Sequence, residues 1–233
     1  MTELPQKVFQ ELGELFRIYH SDFKKAVAVI ETLKQEFPGI VLNEMRAILD
    51  HVACCFQCET TELNKKKQEE WEQNCLNEIT RAKRHIARAI LDCYKITLIH
   101  YFDEVAEFRK QNDYIKLLLL DNGKFISELS RLEKIAIEKV TEAKKEESNC
   151  FSEKENSYPA YLEAILAYKE IINHITNHKD GLEGIANYFE IISKKENKRS
   201  WKFAFIAAGL GVIATLIINY WKIIIGFFQS ITK

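Results

Sequence analysis

Turn-forming residues are scarce in this chain. Eight glycines and three prolines among 233 residues leave few places for tight turns, which argues against an all-β or Rossmann-like chain and for long helices. No stretch sustains the polar–apolar alternation of a strand. Walker A, GxGxxG and GxSxG signatures are missing, so nucleotide-dependent and α/β-hydrolase chemistry find no support. An excess of one charge is missing too. The final 33 residues hold three lysines and no acid, which leaves residues 1–200 with 30 basic and 34 acidic side chains. That balance is not the footprint of a general nucleic-acid binder. The first residues, MTELPQKVFQELGELF, lack the apolar core of a signal peptide.

Cysteines are present, but their spacing outlines no disulfide framework. Cys54, Cys55, Cys58, Cys75, Cys93 and Cys150 are expected to be reduced thiols, mostly small core residues. His51, Cys55 and Cys58 stand at i, i+4 and i+7, three ligands without an evident fourth, so no metal site is expected. His174 and His178 are four apart without the glutamate of an HExxH helix, and read as surface residues. No cofactor is expected.

What the chain does contain is one long apolar stretch, Trp201 to Phe228. Phe203 to Ile218 carries no charge, and Thr215 is its one polar side chain. Extended to Trp221, a helix rising about 1.5 Å per residue covers roughly 28 Å, close to a hydrocarbon core of about 30 Å. Two ends fit: Tyr220–Trp221, or Phe228 with Lys222 snorkelling to the headgroups. Trp201 and Trp221 stand where interfacial aromatics are expected, and Lys194, Lys195, Lys198, Arg199 and Lys202 precede the span while Lys222 and Lys233 follow it. The positive-inside rule then keeps the body in the cytoplasm, at the inner membrane if the source is bacterial. Ala204 and Ala208, and Ala207, Gly211 and Thr215, form small-residue stripes of the kind that let membrane helices approach closely.

Residues 1–199 are expected to form a cytoplasmic helical bundle and residues 200–233 a membrane anchor with a short tail. Within the body, 3.6-residue periodicity predicts a helix from about residue 4 to 37, closed by Pro38-Gly39. A second runs from about 41 to 60 with Met45, Ile48, Leu49, Val52, Ala53 and Phe56 on its stripe. A third ends near 110 and exceeds 35 residues, long enough to form one arm of a coiled-coil-like hairpin. A short helix at 113–120 meets Asp121-Asn122-Gly123, the clearest breaker. Helices at about 124–147 and from Tyr158-Pro159 onward complete an elongated all-α bundle.

A short internal echo carries the candidate chemistry. Arg46-Ala-Ile-Leu-Asp50 recurs as Arg88-Ala-Ile-Leu-Asp92, each pairing Arg and Asp four apart on one helical face. Glu44, His51, Arg81 and His85 lie close by in sequence, and with them these residues would converge into one polar network if the two helices pack antiparallel; two ordinary intrahelical ion pairs and a chance match are the simpler reading. Arg46 and His51 also read as R-x4-H. This resembles the motif of HEPN-domain ribonucleases, which are all-helical and usually dimeric. The resemblance, covering about residues 40–100, implies metal-independent RNA cleavage to a 2′,3′-cyclic phosphate, with His51 as acid/base and Arg46 stabilising the charged phosphate.

The architecture favours a non-enzymatic reading. A membrane-tethered body would bind a protein or small-molecule signal, self-associate and act at the bilayer, as bacterial defence effectors do; a tail-anchored eukaryotic adaptor has the same outline.

Overall fold

The computed structural model describes residues 4–57, 65–150 and 154–196. The apolar segment 201–228, its small-residue stripes, Cys58 and the flanking Lys198, Arg199, Trp201, Lys202, Trp221 and Lys222 lie outside them. Among the described residues every regular element is helical, and no helix is long and apolar enough to cross a membrane. The chain divides into two units, residues 1–178 and 179–233.

The first unit begins with α1 (Gln6–Ile18), a π-turn (Tyr19–Phe23) and α2 (Lys24–Lys34), which run on as one rod. Gln35 then turns left-handed (φ 55°) and its N–H bonds the Glu31 carbonyl at 2.9 Å, an αL stop that precedes the predicted Pro38-Gly39 breaker. α3 (Gly39–Cys54) follows, and α4 (Lys65–Gln111) is a single helix of 47 residues. α5 (Tyr114–Leu119) ends at Asp121, Asn122 and Gly123, all with positive φ (50°, 55° and 85°). Asp and Asn tolerate this region better than other side chains. A Cβ on Gly123 would press on the Leu118 side chain at 3.3 Å, and at φ 85° a side chain would also strain the backbone. α6 (Lys124–Asn149) and α7 (Tyr158–Asn177), with Pro159 in its first turn, complete the unit. In the second unit residues 179–196 are helical, which we label α8; there Lys194 pairs with Glu190 at 2.5 Å.

α4 is the axis. Cys75, Ile79, Ala82, Ile86, Ala89, Ile90 and Cys93, spaced by three and four, are buried against Val8, Leu12 and Leu15 of α1, Phe23, Val27 and Ile30, and Val41 of α3. Ala87 and Leu91 are buried on another side of the same helix. There Tyr158 donates to the Ala87 carbonyl at 2.7 Å, and α7 packs alongside. Fully burying each large aliphatic side chain contributes about 1.5–3 kcal/mol, so this stretch of α4 organises the unit.

Not every large apolar side chain on these helices reaches a core. Phe16, Leu49, Phe56, Ile99, Phe102, Leu162 and Leu166 are exposed, because their helices are covered on one side only. His174 and His178, expected at the surface, are instead partly buried. His174 stacks on Phe125 with ring centroids 4.7 Å apart and donates Nε2–H to the Phe125 carbonyl at 3.2 Å. His178 donates Nδ1–H to the His174 carbonyl at 2.8 Å and reaches Asp121 at 3.3 Å, so the pair fastens the end of α7 to the 121–125 turn.

Candidate functional site

Two constructions on α4 stand out, one closed and one open. The closed one is the α3–α4 seam. α3 carries Glu44 and, seven residues on, His51; α4 carries Glu78 and, seven on, His85. Run antiparallel, the two helices pair each glutamate with the opposite histidine. His85 Nδ1–H donates to Glu44 and His51 Nδ1–H to Glu78, both at 2.6 Å. The two imidazoles stack on each other, centroids 5.1 Å apart and planes 28° apart. Each of the four side chains keeps only about a fifth of its surface, from 17% to 23%. Arg81 closes the outer side of Glu78 at 2.7 Å, and Arg88 approaches Glu44 at 3.8 Å. One turn further, Cys55 and Cys75 exchange Sγ–H donations to each other's carbonyl at 3.6 Å. Burial and then the neighbouring Cys75 thiol push Cys55 up to about 12, so it is a neutral thiol and not a nucleophile. The arrangement is a local two-fold of hydrogen-bonded groups that fixes helix register.

The predicted network residues fall on both sides of this seam. His85 and Arg88 meet at Glu44. Asp92 is partly buried, and desolvation raises its carboxyl above the usual value, with Lys95 the largest opposing influence. Arg46 and Asp50 are exposed on the outer side of α3, and no hydrogen bond or ion pair joins Arg46 to His51 among the described residues. Their positions are about 140° apart around the helix. The two copies of the Arg-Ala-Ile-Leu-Asp echo therefore occupy different environments. The signal that marks the seam is a second repeat, Glu-x6-His at 44–51 and 78–85, legible in the sequence beside the five-residue echo.

The open construction is a trench between α4 and α6. Both helices pack on α7 but not backbone to backbone on each other. Side chains bridge the gap at two levels. Lys95 donates to Glu147 at 2.6 Å, and Arg109 forms a two-pronged pair with Glu133 at 2.8 and 2.5 Å. The bridges are fourteen residues apart on each helix, or about 21 Å. A cleft of about 710 Å³ opens beside Lys95 and Glu147, with walls of Leu98, Ile99 and Phe102 from α4 and Ile137 and Val140 from α6. Its floor is Tyr161 and Tyr168 of α7. Tyr161 is almost fully buried and donates its hydroxyl to Glu147 at 2.6 Å; burial and that hydrogen bond raise its pKa, so it stays neutral. Ile99, Phe102 and Ile137 remain 53%, 54% and 60% exposed, lining an apolar trench that stands open to water. Lys144 adds a second ammonium at the Lys95 end.

Among the described residues no group of three or more His, Cys, Asp or Glu side chains is arranged to hold a metal ion. No protein-family model, curated protein or solved structure matches the chain.

Proposed function

We propose that this chain is a membrane-tethered helical interaction module. Its body takes up an amphipathic helix from a partner protein in the trench between α4 and α6, and residues 201–228 hold it at a bilayer. The observation that carries the interaction half of this reading is the trench itself. Its walls repeat apolar residues at helical spacing, its floor is aromatic, and its gap is where a further helix would complete a bundle with α4, α6 and α7. That is the geometry of helix-in-groove recognition, with i, i+3 and i+4 anchors. The ionic bridges some 21 Å apart suit a docked helix of about fourteen residues. The tether half is supported by the uncharged run Phe203–Ile218 and the basic collar before it. Clustering of several bodies at one membrane would let the module act as an effector there, a defence protein in a bacterial host being the case this architecture suits.

Fractionation of cells expressing the full chain tests the tether. The chain is expected in the carbonate-washed membrane pellet, and a chain lacking residues 201–233 in the soluble fraction; a full chain that washes off the membrane overturns it. A photoreactive side chain at Ile137 tests the trench. A discrete cross-linked adduct that disappears with Phe102→Asp is expected, and no adduct, or one indifferent to Phe102, removes the interaction half.

A further inference from the structure

α3 has a second face that the fold leaves bare. Among the described elements it packs on α4 alone. Its outward side carries Leu42 and Leu49, and the closing turn adds Phe56, seven residues apart and 57%, 64% and 60% exposed. Met45 and Val52, three and four residues from them, are partly buried against the body's own core, so the exposed stripe borders that seam at a/d spacing. The stripe covers about 21 Å of helix. Along one flank of it lie Arg46 and Asp50, about 60° and 100° round from Leu49, both exposed and neither engaged in an ion pair among the described residues.

We propose that this face binds a second copy of the same chain, α3 against α3 and antiparallel. A two-fold axis through Leu49 sets Leu49 on its counterpart and Leu42 on Phe56 of the other copy. The same rotation brings equal flanks together, so Arg46 of each copy comes within one helical turn of Asp50 in the other. One symmetry operation thus forms the Arg46–Asp50 pair twice and gives each charge one partner, as an isologous interface requires. A parallel pairing instead sets the charged flank against Met45 and Val52 and leaves both charges without a counterpart. The face is self-complementary in shape and charge in one orientation, and this identifies the occupant as another copy and not an unrelated helix. The inference deepens the interaction reading above by assigning the surface through which bodies cluster, and it leaves the trench free for a partner.

The test uses the full chain in detergent solution and in bilayer vesicles. Sedimentation is expected to show a dimer. Arg46→Asp alone and Asp50→Arg alone should each weaken it about tenfold or more, because the two-fold makes every reversal count twice. The double variant Arg46→Asp with Asp50→Arg should restore it, with unchanged helical circular dichroism throughout. Leu49→Cys in a Cys54→Ser background should form an intermolecular disulfide under mild oxidation. A monomeric full chain overturns the inference, as does a dimer indifferent to the single reversals or not rescued by the double one. The outcomes separate from those of the tether: a monomer in the membrane pellet defeats this inference alone, and a dimer in the soluble fraction defeats the tether alone.

Discussion

The two ends of α4 are dressed differently. From Cys75 to Cys93 the helix packs against α1, α2 and α3, and across the α3 seam each glutamate holds the opposite histidine. From Leu98 to Val105 it leans on α7, while the side toward α6 opens as a trench. The first region has the character of a core that specifies one arrangement, every glutamate meeting its histidine at a fixed register. The second exposes large apolar side chains beside aromatic ones. A single helix thus joins an enclosed stretch to an open one.

The largest break in this comparison comes from truncation at equivalent depth along the helix. Ile86→Ala opens a cavity in the enclosed region and should cost about 3 kcal/mol. Phe102→Ala in the trench, where half of the side chain already meets water, should cost less than about 1 kcal/mol. Thermal melts of the two variants check this, and equal losses would mean that the trench is closed in solution.

How far this division is legible in the sequence depends on the residue. The end of α4 near residue 110, the breaker at 121–123 and the proline start of α7 follow from local rules, and the structure agrees within a few residues. Leu49, Phe56, Ile99 and Phe102 share the periodicity of buried neighbours, and no local pattern separates them. Periodicity records that a face is apolar, not whether the chain itself supplies the cover. The seam was readable in a different way: Glu-x6-His occurs twice, but its meaning requires knowing that α3 and α4 run antiparallel. The echo of Arg46–Asp50 in Arg88–Asp92 is the longer match, and yet its two copies have different surroundings, one facing water and one near Glu44 and Lys95.

The next contrast concerns one carboxylate in each region. Glu147→Ala strips the acceptor from the buried Tyr161 hydroxyl as well as from Lys95, so about 2 kcal/mol is expected for a polar group orphaned in the interior. Glu44→Ala leaves His85 only partly buried, able to turn to water, and about 1 kcal/mol is expected. A double-mutant cycle of Glu44 with His85 sharpens the comparison: coupling near 1 kcal/mol is expected, and a coupling of zero would show that the stacked imidazoles hold the seam without their carboxylates.

The smallest effect lies where the regions meet. Asp92 stands between Glu44 of the seam and Glu147 of the trench. Its carboxyl is raised above the ordinary 3.8 first by desolvation, and both glutamates add to the rise against Lys95 and Arg88. The sign follows from which state ionises first. Below 3.8 the side chain is protonated folded and unfolded, and ionisation costs the fold nothing. As pH climbs past 3.8 the unfolded chain releases its proton before the folded one, and stability falls until the folded carboxyl has ionised as well; above that the penalty is constant. Asp92→Asn removes the charge and with it the penalty. The variant should melt above the parent at pH 7, by an amount worth less than about 1 kcal/mol because the side chain is partly solvated, and the advantage should vanish at pH 3. Repeating the pair of melts in a Glu147→Gln background divides the source of the shift. A smaller gain there assigns part of it to the trench end, whereas an unchanged gain leaves burial and the seam to account for it.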